Sequence, residues 1–184
     1  MKEHLLPAIR LTIVSILLFI VAYPALIYAF AKIAPAHGEG ETIRVGDKVV
    51  GYALEGQRFT DDKYFWSRPS AAGYNAAGSS GSNKGPSNPD YLKEVQARID
   101  TVLAHNPGVN KNDIPSDLVT ASGSGLDPDI SAQAAYLQVK RIAGIRRIGF
   151  ERIDALVAKH VEYSINGIKK VNVLALNIDL DKLK

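Results

Sequence analysis

Two glycine- and serine-rich stretches, four histidines and a few paired carboxylates are the groups with which this 184-residue chain could do chemistry. In residues 78–85, Lys84 follows Gly78 by six positions, as in a phosphate loop. Asn83 stands where the second glycine is required and Gly85 where a hydroxyl is required, so the Walker pattern fails. Ser122-Gly123-Ser124-Gly125 runs into Asp127-Pro128, and such a loop entering a helix can hold an anion on its N–H groups. An ordinary long loop with a capped helix start explains the same residues. Ser122 or Ser124 as a hydrolase nucleophile lacks the strand–turn–helix setting of a nucleophile elbow. His4, His37, His105 and His160 form no HExxH pair, and the chain has no cysteine, so no metal site is expected. Asp61-Asp62 and Asp127/Asp129 offer too few ligands for a calcium loop and suit turns or caps. No catalytic constellation emerges.

The elements that must position these residues can be read from periodicity. Gly46-Asp47 between Ile43-Arg44-Val45 and Lys48-Val49-Val50 predicts a type II′ hairpin, its second strand running on towards Leu54. Asn88 followed by Pro89 predicts a helix start, and Leu92, Val95, Ile99, Val102 and Leu103 recur at helical spacing until Asn106-Pro107. A second helix begins near Asp127-Pro128 or Ser131 and carries Ala135, Val139 and Ile142. A third runs over residues 150–163, with Phe150, Ile153, Val157 and Val161 on one face. Leu174, Leu176, Ile178 and Leu180 alternate with polar or small residues, which predicts a half-buried strand. Residues 73–88 read as a long irregular loop. The fold class is α+β.

Ahead of this domain, residues 11–31 contain no charge and lie between Arg10 and Lys32. As a helix they reach about 30 Å, the thickness of a hydrocarbon core, so the chain reads as one membrane helix followed by one mixed α+β soluble domain. The competing reading is a cleavable secretory signal ending at Ala31 or Ala36; the run exceeds the usual signal length, which favours a retained anchor. Ser15, Ala22, Ala25 and Ala29 fall near one face of a straight helix and would admit a close partner helix. Alanine is also simply common in such helices. A formal charge of +3 without an arginine-rich stripe gives no reason to expect a nucleic-acid partner.

One further segment, Phe65-Trp66-Ser67-Arg68-Pro69-Ser70, has two readings. Trp66 and Arg68, with Asn83, Ser87 and Asn88 of the adjoining loop, could dock a partner, since Trp and Arg dominate binding hot spots. Equally, Trp66 could fill the domain's own core while Arg68 pairs with a carboxylate.

Residues 64–69, Ser87-Asn88-Pro89, residues 118–127 and 171–180 (VNVLALNIDL), together with Tyr23-Pro24, resemble the C subunit of the bacterial Kdp potassium-transporting P-type ATPase, the KdpC family, along nearly the whole chain. Many relatives carry histidine where this sequence has Asp129. The resemblance implies an accessory, non-catalytic subunit of a high-affinity potassium uptake complex. Its partners would be a channel-like A subunit, an ATP-hydrolysing B subunit, a small F subunit and membrane lipid. In that resemblance the complex would handle ATP and potassium, and this chain would hold no tightly bound cofactor. The family role is that of a catalytic chaperone that raises ATP affinity, attached to Ser122, Gly123, Ser124, Gly125 and Gln138 as a signature-like, nucleotide-related motif. The expected layout is a cytoplasmic N-terminus (1–10), a transmembrane helix (11–33), a connector (34–42) and an extracytoplasmic domain (43–184) at the bacterial inner membrane. A side chain outside the membrane cannot touch cytoplasmic ATP, so any effect on ATP affinity would be a coupling between distant sites. A stand-alone anchored or secreted module binding a small ligand in the Gly/Ser loops is the alternative.

Overall fold

In the computed structural model, residues 2–183 are described; Met1 of the expected N-terminal segment and Lys184 of the expected domain lie outside them. The chain divides between Glu41 and Thr42 into two compact units. The first is helical: α1 (Lys2–Ile16), a π-helical stretch (Leu17–Ala22) and α2 (Tyr23–Ile33). His4–Ile33 is long and apolar enough to cross a membrane. The π stretch sits just before Pro24, and the Tyr23 N–H bonds Leu18 O, five residues back. Proline has no N–H and its ring crowds the carbonyl four residues earlier, so the backbone widens there. Each widened turn takes in an extra residue, which shifts Ser15 out of straight-helix register with Ala25 and Ala29. Ala22, Ala25 and Ala29 are exposed and Ser15 is half-buried within the chain itself.

The second unit opens with the antiparallel hairpin β1 (Thr42–Val45) and β2 (Lys48–Tyr52). Val45 pairs with Lys48 and Gly46 has φ +60, the first-position geometry a II′ turn requires of glycine. The strand stops at Tyr52, short of the expected Leu54. Residues 53–88 contain no strand and only one short 3₁₀ turn, Ala76–Gly78. α3 (Pro89–His105) then starts where expected, the Asn88 side chain accepting from the N–H groups of Asp90 and Tyr91. Asn88→Ala removes that cap and should lower domain stability by about 1 kcal/mol, readable as a shift in thermal melting.

The core is built by α4 (Ala132–Arg146), α5 (Phe150–His160) and α6 (Val173–Lys182) packed with a three-stranded sheet. The sheet comprises β3 (Asp129–Ser131), β4 (Glu162–Tyr163) and β5 (Lys169–Asn172), antiparallel in the order β3-β5-β4. Ser131 caps α4 by accepting from Ala134 N–H, which settles its start. The expected strand at 174–180 is a helix. Asn172 caps it by accepting from Ala175 N–H, and Val173, Leu176 and Leu180 recur at three and four residues and are buried together. The third predicted helix ends at His160, three residues early, because the chain turns there into β4. Phe150, expected inside, is half exposed.

His160 Nε2 lies 3.0 Å from Asp179 and Lys182 Nζ 2.6 Å from the same carboxylate. Chiefly Lys182, then His160, holds Asp179 below the ordinary aspartate range. A depressed carboxylate contributes stability above its unfolded pKa and loses it as the pH falls through the folded value. Asp179→Asn should therefore lower the melting temperature near neutral pH, with the difference from wild type shrinking below about pH 4.

Candidate functional site

Residues 61–70 lack a strand partner, so their backbone groups need other partners. Three buried polar side chains supply them. Asn177 of α6 accepts from Phe65 N–H at 2.9 Å and donates to Phe65 O at 3.0 Å. Gln138 of α4 accepts from Trp66 N–H at 2.8 Å and donates to Trp66 O at 3.4 Å. Arg141, one turn further along α4, donates to Asp62 O and to Tyr64 O. Phe65, held this way, is completely buried, which is worth about 1.5–3 kcal/mol.

Arg141 is the centre of this arrangement. Only 5% exposed, its guanidinium also donates to Asn106 Oδ1 at 3.1 Å and Gln138 Oε1 at 2.7 Å. It lies 4.6 Å from the Trp66 ring centroid. Burial pulls its pKa down to about 10 against the opposing pull of Asp62 and Asp61. Trp66 meets His105 edge-on at 5.0 Å, and His105 Nδ1 lies 2.8 Å from Asp62. Beside this lies a cleft of about 320 Å³ lined by Phe59, Trp66, Arg98, Val102, His105 and Leu118.

The two Gly/Ser stretches are fastened to each other. Ser80 N–H and the Ser79 hydroxyl both donate to Ser124 O, at 2.9 and 3.0 Å. Ser122 N–H donates to Pro69 O, and the Ser70 hydroxyl donates to Gly125 O at 2.6 Å. Within the loop, Ser122 Oγ accepts from Gly125 N–H at 2.8 Å and Ser124 Oγ from Leu126 N–H at 3.0 Å. The amides of Ser122, Gly125 and Leu126 are thus occupied by the protein itself. Gly123 and Ser124 are exposed while Ser122 is buried. Among the described residues no histidine bonds either serine, which gives the hydrolase reading no base.

The carboxylates singled out earlier pair with cations of the same domain. Arg68 Nη1 reaches Asp127 at 2.7 Å, Lys170 Nζ reaches Asp129 at 2.6 Å, and Lys63 Nζ reaches Asp61 at 3.1 Å. Asp129 thereby raises the Lys170 pKa and ties β3 to β5. Among the described residues no group of three or more His, Asp or Glu is placed to hold a metal. Trp66 and Arg68 are half-buried with internal partners; Asn83, Ser87 and Asn88 are exposed, and Asn83 has φ +52. Gln138 is buried at the Trp66 backbone, and its hydrogen bonds run to Trp66, Ala134 and Arg141 rather than to the 122–125 loop. Arg141 and Asn177 escaped the sequence reading. The signal was present: Gln138 and Arg141 share the buried face of α4 with Ala135, Val139 and Ile142.

Together these elements define a protein with one membrane-fitting helix among its described residues and an α+β domain that spends its buried polar groups on holding an irregular segment in place. The family model described as K+-transporting ATPase, c chain, matches residues 5–182. The chain belongs to this KdpC family. It is similar to the potassium-transporting ATPase KdpC subunit of Flavobacterium johnsoniae, 54% identical over 99% of this chain and all of the relative. The KdpC subunits of Bacteroides fragilis (51% identical, 99% of this chain and 98% of the relative) and Caldanaerobacter subterraneus (42% identical, 98% and 95%) are also similar.

Proposed function

We propose that this chain is an accessory, non-catalytic subunit of an ATP-driven potassium uptake complex, acting by assembly and indirect coupling. The observation that carries this reading is the full-length match to KdpC subunits of potassium-transporting ATPases. Its partners in this reading are a potassium-channel-like A subunit, a P-type B subunit that hydrolyses ATP and a small F subunit. The helix sits in the bacterial inner membrane with the N-terminus cytoplasmic and the domain outside. From there the chain acts as a catalytic chaperone, raising ATP affinity through the complex. The burial of Gln138 and the closure of the 122–125 loop support action through packing over direct nucleotide contact.

Isolation in mild detergent tests the assembly: the tagged chain should bring down a large multi-span subunit and an ATPase subunit, and recovery of the chain alone counts against the reading. Arg68 separates docking from internal support. Its pair with Asp127 is partly exposed, at 24% and 29% of the two side chains, so Arg68→Ala should lower domain stability modestly, by about 1 kcal/mol. Assembly lost beyond that measured destabilisation assigns Arg68 to the interface. Assembly lost only in proportion to it assigns Arg68 to the domain's own fold.

A further inference from the structure

We propose that the tip of the β4–β5 hairpin dips into the headgroup–acyl boundary of the membrane, with Lys169 at its base facing an anionic headgroup. Turn tips favour Gly, Asn, Asp and Ser, yet this one presents Ile165 at 110% relative exposure, Tyr163 at 67% and Ile168 at 59%. All three stand open to solvent among the described residues. The turn is nonetheless closed: Ser164 N–H donates to Ile168 O at 2.9 Å, Gly167 N–H to Ser164 O at 2.8 Å, and the Ser164 hydroxyl to Asn166 Oδ1. These bonds hold the turn shut, so its apolar side chains are presented on a closed loop at a wet interface where the remaining backbone groups can still meet water or headgroups.

The charges around the tip choose the occupant. Residues 159–170 carry Lys159, Lys169 and Lys170 against Glu162 alone. Lys170 is engaged by Asp129 at 2.6 Å and Lys159 lies 4.0 Å from Asp179. Lys169 Nζ sits 5.7 Å from the Tyr163 ring centroid, and among the described residues no carboxylate pairs with it. A tyrosine and two isoleucines with the unpaired Lys169 at their base is the composition of an interfacial anchor. Three apolar side chains bind a bilayer weakly by themselves. Here the same chain supplies a membrane-fitting helix, joined through residues 34–41, so engagement is intramolecular and weak contacts suffice.

The chain has no cysteine, so Ile165→Cys gives a single labelling site. The full chain bearing an environment-sensitive fluorophore there, in nanodiscs of phosphatidylethanolamine and phosphatidylglycerol, is titrated with brominated phospholipid. A label on Lys93→Cys, in the exposed face of α3, is the control. Quenching at 165 should exceed that at 93 by about threefold or more and should weaken in all-phosphatidylcholine discs. With the label moved to Ile168→Cys, adding Ile165→Asp should abolish the excess. Equal quenching at 165 and 93 overturns the proposal. So does a label shielded only in the assembled complex without lipid quenching, which would place the tip against a partner subunit. The isolated chain is the sample, so loss of the assembly reading leaves this result interpretable.

Discussion

Arg141→Met is expected to destabilise the soluble domain by about 3–5 kcal/mol, a large fraction of the roughly 5–15 kcal/mol that holds a typical domain folded. The substitution keeps apolar volume but strands the carbonyls of Asp62 and Tyr64, Asn106 Oδ1 and part of Gln138 Oε1. Leaving buried acceptors unpaired is the costly half of losing a hydrogen bond. Arg141→Lys should recover only part of the loss, because an ammonium cannot span that set of acceptors from one planar fork. The pH dependence has a definite sign. A base whose folded pKa is lowered is penalised while charged, so the burial penalty is constant at neutral pH and relieved only as the pH rises past about 10. Calorimetry of the detergent-purified chain at neutral pH therefore reads the lost hydrogen bonds less the burial penalty that leaves with the charge. Gln138→Ala should act in the same direction with a smaller effect. A Gln138→Ala domain with unchanged melting, accompanied by weaker ATP affinity in the intact pump, would contradict the structural role given to this residue.

Gly125→Ala is the second large effect, expected at roughly 3 kcal/mol or more. Gly125 has φ +69, where a Cβ is strained, and that Cβ would lie 2.8 Å from Ala72 Cβ and 2.8 Å from Ser80 O. Both obstacles belong to the opposing loop and one is backbone, so neither yields without parting the 122–125 loop from residues 72–80. Gly123→Ala is the matched control: it sits in the same loop with open space around its Cβ position and should be nearly neutral. Comparing limited proteolysis of the two variants within residues 70–88 shows whether the loops have come apart. If Gly125→Ala were as stable as wild type, the loop-to-loop fastening described here would be wrong.

The parts of the fold legible in the sequence are those in which local signals and packing agree. Asn88-Pro89, Ser131 and Gly46-Asp47 each fix a backbone start or turn chemically, and the chain obeys them. Residues 174–180 misled because leucines at alternate positions also satisfy a helix once Asn172 caps it. β3, β4 and β5 are too short to carry a period of their own. The polar clamp was hidden for another reason. Gln138, Arg141 and Asn177 look like surface residues by type, and only a helix-face count puts them inside. Their partners are backbone atoms of a segment with no periodicity, so no pairwise pattern in the sequence links them.

The clamp also orders the events of folding. Phe65 and Asn177 are separated by 112 positions, Tyr64 and Arg141 by 77, and Trp66 and Gln138 by 72. Residues 61–70 leave the ribosome early yet have no resting place until α6, the last helix of the chain, has been made. Contacts of such long sequence separation form late because loop closure must precede them. Until α6 has been made, a tyrosine, a phenylalanine and a tryptophan wait without their buried partners, in a chain whose first helix already fits a membrane. A protein cut short ahead of Asn177 would therefore lose far more than its final turns: its earliest soluble segment would never settle.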